Sequence, residues 1–391
     1  MNISNILLHL SLIEKIGPAT IDKLVQGFYS FGEKLNNKLD LFSNVYSLSI
    51  NDLVHYSGIN INLATRIYNG LKDSKLLENE LNLLEKNQIR FVTVLDGNYP
   101  SLLKEIYLPP TLLYIKSKDQ NFNFINNSIA VVGARKCDNY GIRVVNNIVP
   151  DLVKMGYDIV SGGAYGIDAV AHKSCLIDEY NVGKTIAVLG SGLLNLYPRE
   201  NIKLFEQILL SGGALISPFS LNTPPTAGNF PARNRIIAGL SLICLVIQAT
   251  EKSGALITAN YALNQGREVC AVPGQIDNEL SKGCHSLISQ GANLITSAQD
   301  IFNLLGQDFN LNNNIKNISK SLSFDIDSEI KIKQNLSENY VKILSFCTEP
   351  VSFDELIIST NLSFDELQDA LFDLQVKGYI AQNFMGLWHK L

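Results

Sequence analysis

The chain has 391 residues, 46% hydrophobic and 18% charged, with a formal net charge of −5. That length accommodates two or three domains with cores of their own, and the charge excludes a uniformly basic DNA-coating protein while leaving room for a local basic cleft. The six cysteines form no Cys-x-x-Cys pair and no run of about 18 apolar residues occurs, so no metal site, disulfide framework, export signal or membrane span is expected, and the expected location is the cytoplasm.

Residues 1–85 predict short helices. Two segments look alike, Ile16-Gly17-Pro18-Ala19 and Ser57-Gly58-Ile59-Asn60, each placing a glycine before an amphipathic helix start. The pattern resembles a helix–hairpin–helix or SAM-like module, whose hairpin amides can meet a phosphate without reading sequence. The region holds 7 basic and 9 acidic side chains. A structural helical module is therefore expected, with weak non-specific DNA contact as the alternative.

Residues 86–305 alternate apolar runs with helical patterns, the signature of a parallel sheet covered by helices. Expected strands are Arg90–Leu95, Ile129–Val132, Asp158–Val160, Thr185–Leu189, Ala214–Ile216, Ser241–Val246 and Glu268–Val272. They are short and mostly apolar on both faces, as buried parallel strands are. Ligands of such sheets bind beyond the carboxyl ends of the strands. The central feature there is Ser161-Gly162-Gly163-Ala164-Tyr165-Gly166-Ile167-Asp168, a glycine-rich turn between a strand and a helix. Its amides and the helix start predict a phosphate ligand, on a nucleotide, a cofactor or a nucleic acid. A tight turn that binds nothing is the alternative.

Other loops on the same rim add chemistry. Arg135 follows a strand end, where its guanidinium would fork onto a phosphate or a base edge. The loop expected at 217–235 ends in Phe230-Pro231-Ala232-Arg233-Asn234-Arg235, charge beside a ring, the mixture a single-strand binder uses. The alternative is that these arginines bridge acids and Phe230 is core. Lys252-Ser253-Gly254 opens another helix, and Lys173 adds a cation to the helix after the turn. The candidate DNA-binding set is thus Arg135, Ser161, Gly162, Gly163, Gly166, Lys173, Phe230, Arg233, Asn234, Arg235, Lys252 and Ser253. Asp168 and His172, four apart, share a helix face; a helix-start acid and a packed histidine are expected rather than an acid–base pair. Gly190-x-Gly192-x-x-Asn195 falls short of a dinucleotide fingerprint and no P-loop occurs, so no cofactor is expected.

Tyr99-Pro100, Pro109 to Tyr114, Val131 to Arg135, Ser161 to Asp168, Tyr197-Pro198, Phe230 to Ser241, Ser253 to Ala259 and Ala271 to Gly274 follow one another as in the DNA-processing protein A (DprA, or Smf) family, which the chain resembles from about residue 88 to about 300. The resemblance implies an α/β fold: an extended Rossmann-like core, a helical N-terminal domain and a C-terminal winged helix. It implies a non-catalytic single-stranded DNA-binding protein of natural transformation, one that protects incoming strands, loads the RecA recombinase and forms a homodimer through the central domain. The stretch Gly283–Ile295 is the expected dimer edge. The chain departs from the family pattern at Ala134, Ala232, Pro218-Phe219-Ser220 and Gln248. Nucleotide phosphoribohydrolases share the fold but carry Pro-Gly-Gly-x-Gly-Thr-x-x-Glu; Pro273-Gly274-Gln275 departs at once. A purely protein-binding scaffold is the third reading.

Residues 306–335, rich in Asn, Ser and Lys, predict a flexible tether. Residues 336–391 predict three helices and a two-stranded wing. Two of the helices open with Ser-Phe-Asp-Glu capping boxes, at Ser352 and Ser363. This segment has three lysines, no arginine and eight acids, which equals the whole negative excess of the chain. Asp365, Asp369 and Asp373 form one acidic stripe on its third helix. It is therefore expected to fold without binding DNA and to contact a protein or the central domain instead.

Overall fold

The computed structural model describes residues 2–34, 44–119, 122–176, 182–306, 338–347, 351–360, 362–376, 379–382 and 387–390. The tether expected at 306–335 lies, from residue 307 on, outside the described residues. The chain divides into two units, 1–307 and 308–391.

In the first unit, helices α1 (Ile3–Leu12), α2 (Pro18–Lys34), α3 (Ile50–Ser57), α4 (Ile61–Leu71) and α5 (Ser74–Lys86) form the N-terminal domain. Asn2, Ser49 and Asn60 cap three of them with side-chain oxygens. The two look-alike segments adopt matching turns. Lys15 (φ 64°) and Gly58 (φ 65°) are left-handed, buried Ile16 and Ile59 follow, and the next helix begins. Leu8, Leu77 and Leu84 join Tyr114 and Leu215 of the neighbouring sheet, and Phe205 of a helix that covers it, in one apolar cluster. Buried Glu80 accepts the Leu221 amide at 2.9 Å, which fastens α5 to that sheet.

The sheet comprises β1 (Arg90–Thr93), β2 (Leu112–Lys116), β3 (Ser128–Val132), β4 (Asp158–Ser161), β5 (Thr185–Val188), β6 (Ala214–Ser217), β7 (Ile243–Val246), β8 (Glu268–Ala271) and β9 (Asn293–Leu294). Their order is β1-β2-β6-β5-β4-β3-β7-β8-β9. From β6 to β9 every pairing is parallel. The exception is one edge, where β1–β2 and β2–β6 pair antiparallel. Strand β2 has no counterpart among the strands expected from the sequence. It is short, buried along most of its length and follows Pro109-Pro110, so neither alternation nor length marks it.

The covering helices are α6 (Ser101–Lys104), α7 (Asn139–Lys154), α8 (Ile167–Ser174), α9 (Ile202–Leu210), α10 (Asn229–Gly239), α11 (Gly254–Asn264), α12 (Glu279–Ser289) and α13 (Ala298–Gly306). Successive residues of a strand face opposite ways. Thus Ile129 and Val131 of β3 pack with Val145 and Leu152 of α7, while Ala130 and Val132 pack with Ile236 of α10 and Ala259 of α11. Each fully buried aliphatic side chain stabilises the fold by about 1.5–3 kcal/mol. The rim they hold in place is the row of loops at the carboxyl ends of the parallel strands.

The second unit contains α14 (Glu338–Phe346), α15 (Phe353–Thr360), α16 (Phe364–Val376) and an antiparallel ribbon of β10 (Ile380–Gln382) and β11 (Trp388–Lys390). Ile343, Leu356, Leu367, Leu371 and Leu374 form its core. Ser352 and Ser363 cap α15 and α16, and Glu355 and Glu366 return to the serine amides at 3.0 and 2.9 Å.

Candidate nucleic-acid interface

The glycine-rich turn after β4 is the innermost part of the rim. Gly163 (φ 63°) and Gly166 (φ 72°) are left-handed, and a Cβ at Gly166 would collide with the Ala134 and Arg135 carbonyls. The geometry is that of an anion cradle, yet the cradle is filled. Asp168, in the first turn of α8, folds back so that Oδ2 accepts the Gly162 amide at 3.1 Å and the Ala164 amide at 3.4 Å. A carboxylate seeks the same donors and the same helix end as a phosphate. Ser161 is fully buried and its hydroxyl donates to the Val131 carbonyl at 2.6 Å. The Gly163 carbonyl accepts from Asn201 Nδ2 at 2.9 Å. Asp168 thus takes two of the amides, those of Gly162 and Ala164, on which the expected anion site at Ser161, Gly162, Gly163 and Gly166 relied. The chain's own carboxylate occupies that place.

Arg233 and Arg235 also depart from the expectation. The loop ends at Gly228 and α10 begins at Asn229, with Pro231 in the first turn, where a missing N–H leaves no bond unmade. Residues two apart on a helix do not face each other. Arg233 is only 4% exposed, and its Nη1 donates to the Gly162 and Val188 carbonyls. Burial lowers its pKa to about 10, opposed by the charge of Asp168. Burial drives the Asp168 carboxyl up, opposed by Arg233 and the loop amides. Arg233 thus braces the turn from beneath. Arg235 turns away from it, and its Nη2 donates to the Leu108 carbonyl.

Above this buried layer lies an open one. Arg135 is exposed, and its guanidinium carbon stands 5.3 Å from the Phe230 ring centroid. Among the described residues it has no carboxylate within 4.0 Å. A cavity of about 200 Å³ opens between this pair and the start of α11, lined by Gly133, Asn234, Ser253, Gly254 and Thr258, with Arg233 and the amide-bound Asp168 in its floor. Ser253 caps α11 by accepting the Ala255 amide at 3.2 Å. Lys252, exposed, precedes it. The cavity can hold one anionic group with an apolar ring beside it.

The structure thus brings Arg135, Phe230, Asn234 and Ser253 together, with Lys252 adjacent. Lys173 stands in the last turn of α8 and lines a separate surface with Gln207 and Leu210. Asp168 and His172 share no hydrogen bond among the described residues. Thr185 Oγ1 donates to the Ile159 carbonyl at 3.1 Å, so His172 Nδ1, 2.7 Å away, must donate to Thr185. Burial, together with the Arg233 charge, lowers the His172 pKa to about 3, which leaves the ring neutral. Gln248, a departure from the family pattern, donates to Asp138 Oδ1 at 2.9 Å, where a glutamate would meet that carboxylate. Sequence reasoning did not assign Tyr165 or Tyr197 to the site, although both line its outer wall with Phe230; the Tyr-Pro pair at 197–198 was the available signal.

Among the described residues no group of three or more His, Cys, Asp or Glu could hold a metal, and no helix is long and apolar enough to cross a membrane. The family model for DNA recombination-mediator protein A matches residues 90–306. A Synechocystis relative, Protein Smf, is 33% identical over 396 residues, covering 95% of both chains. The X-ray structure of DNA processing protein A from Streptococcus pneumoniae is 35% identical and covers 75% of this chain and 99% of its own, with a TM-score of 0.60. DNA processing protein A from Helicobacter pylori, whose structure concerns a single-stranded DNA binding mode, is 28% identical and covers 57% of this chain and 97% of its own, with a TM-score of 0.50.

Proposed function

This chain belongs to the DNA recombination-mediator protein A family, and from that premise we propose that it is a non-catalytic single-stranded DNA-binding protein of natural transformation, which protects incoming strands and loads the RecA recombinase. The observation that carries the binding step is Arg135 over Phe230 at the rim. It lies between the carboxyl ends of β3 and β7, where the chain leaving β3 turns toward β4 on one side and the chain leaving β7 turns toward β8 on the other, the place where open α/β sheets take ligands. An exposed guanidinium serves a phosphate and a ring serves a base, a pairing that needs no sequence. The Helicobacter pylori relative, described as binding single-stranded DNA, supports the choice of ligand. A non-catalytic role is supported by the groups nearest to acid–base work. His172 is neutral and held by Thr185, and Asp168 is held by the loop amides.

Homodimerisation is proposed through the sheet edge at Gly283–Ile295, where β9 leaves Leu294 half exposed. The second unit is read as a winged helix that meets protein. Light scattering tests the dimer, and RecA filament assays on coated strands test the loading. The binding step is tested by titrating labelled single and duplex strands with the full chain. Single strands are expected to bind tighter, with affinity falling steeply as salt rises. Arg135→Ala is expected to lower single-strand affinity about tenfold, or ~1.4 kcal/mol, with the unfolding midpoint unchanged. Unchanged affinity would refute this placement of the site.

A further inference from the structure

The Arg135–Phe230 contact divides the rim cleft into two unlike halves. On the α11 side are Arg135, Lys252 and a helix start, the groups that attract phosphate. On the other side is a narrow cleft lined by Tyr165, Gly190, Tyr197 and Pro198, with Arg135 and Arg233 at the border it shares with the first. The ring centroids of Tyr197 and Phe230 lie 5.9 Å apart, inclined by 50°. Gly190 lacks the Cβ that would come 2.8 Å from Phe230 Cδ1, so the ring can settle against the backbone. Tyr197 is 39% exposed and Tyr165 37%, values that leave ring surface open on both.

Charge separates the halves further. The Tyr165 hydroxyl donates to Glu200 Oε2, and that bond pushes the phenol up to about 12 and the carboxyl down. Tyr165 is thus neutral at pH 7 and held in place. Glu200 is exposed and stands beside exposed Arg199, so their charges offset each other. Beyond Arg135 and Arg233, which border both halves, this half adds aromatic faces and no further excess of positive charge. A strand crossing the rim would set its phosphates toward α11 and its bases toward the tyrosines.

We propose that Tyr197, with Phe230 beside it and Tyr165 fixed by Glu200, is a base-stacking ledge that selects unpaired bases over duplex. This rests on the single-strand reading above. A base in a duplex is already stacked and its edge is paired, so it cannot present its face to the ledge. Stacking of one base on an aromatic side chain contributes about 1–3 kcal/mol and tolerates any base.

The test uses the full chain and two labelled probes of equal length, an oligothymidylate and an abasic strand. Their phosphates are the same and only one carries bases. The wild type is expected to bind the thymidylate about tenfold tighter or more. Tyr197→Ala should lose most of that preference and keep the abasic affinity and the salt slope. Tyr197→Phe should restore the preference, because the ring and not the hydroxyl stacks. Equal binding of both probes by the wild type, or equal losses on both in Tyr197→Ala, overturns the ledge and leaves the phosphate reading standing. Binding of neither probe overturns the single-strand reading and the ledge with it. An unfolded Tyr197→Ala still leaves the wild-type comparison and Tyr197→Phe to decide.

Discussion

Two turns on the rim look alike in sequence, Ser161–Asp168 after β4 and Lys252–Gly254 after β7. Both are amide-rich and both open a helix. In the first, Asp168 returns to the Gly162 and Ala164 amides and Arg233 braces the loop from beneath, so the turn is closed by its own charges. In the second, only the neutral Ser253 hydroxyl caps α11, and a cavity stands in front of it. A helix start is a ligand site only when the chain has not already supplied the anion. One carboxylate in the first turn decides which case applies.

The most direct way to break this comparison is to remove the closing charges. Taking one partner from a buried charged pair costs about 3–5 kcal/mol, because the other is left buried and uncompensated. Arg233 and Asp168 are both buried and feel each other's charge without an ion pair within 4.0 Å, so Arg233→Ala and Asp168→Ala should each lower the unfolding free energy by at most about that much. The double variant should lose clearly less than the sum, since each change removes the other's liability. Denaturant titration of the four proteins measures the coupling. If Arg233→Ala keeps its stability and loses only DNA affinity, Arg233 is a contact and the turn is not closed as described.

His172, one turn along α8 from Asp168, sharpens the same point. Its pKa is lowered to about 3 in the fold, against about 6.5 in an unfolded chain. The unfolded state therefore binds the proton first, and the stability that depends on a neutral His172 is lost as pH falls below about 6.5. By pH ~4.5 the loss is about 3 kcal/mol. Asp158, pushed up to about 6 by burial, works in the opposite direction as pH falls. The wild-type curve alone does not isolate the histidine, so the comparison is with His172→Gln. The stability gap between the two proteins should shrink as pH falls from about 6.5 to about 4.5. A gap that stays constant would mean that His172 is not held neutral.

The architecture was legible where burial leaves a pattern. The parallel strands are short apolar runs because both faces are covered, and Ile129 to Val132 is the plainest case. Strand β2 was not legible, since Leu112–Lys116 carries no period that separates it from a buried loop. Within the site, Arg135 and Phe230 were legible as types, but the layer each occupies was not. Arg233 and Arg235 were grouped because they sit in a loop-like stretch. Once Asn229–Gly239 is known to be a helix, their spacing of two shows that they cannot serve one ligand. The inward fold of Asp168 had no sequence signal beyond its place in the first turn, because the left-handed glycines that admit it also suit an open cradle.

The second unit extends the comparison to helix starts closed by a different device. In α15 and α16 the serine hydroxyl takes one amide and the Glu355 or Glu366 carboxylate takes the serine's own. Negative charge already stands at both starts, as it does in the turn after β4. Asp373 of the acidic stripe accepts the Tyr340 hydroxyl at 2.7 Å, so part of the stripe serves the unit's own packing. Pressing such helices against phosphates would bring like charges together, and residues 336–391 contain no arginine to offset them. Deleting residues 308–391 should therefore leave single-strand affinity unchanged within about twofold at physiological salt, where exposed charges are screened beyond ~8 Å. At low salt the shortened chain should bind slightly tighter, because the deleted part carries the net negative charge of the chain. Weaker binding of the shortened chain at low salt would show that the second unit holds DNA despite its charge, and that a capped helix start is not closed to phosphate.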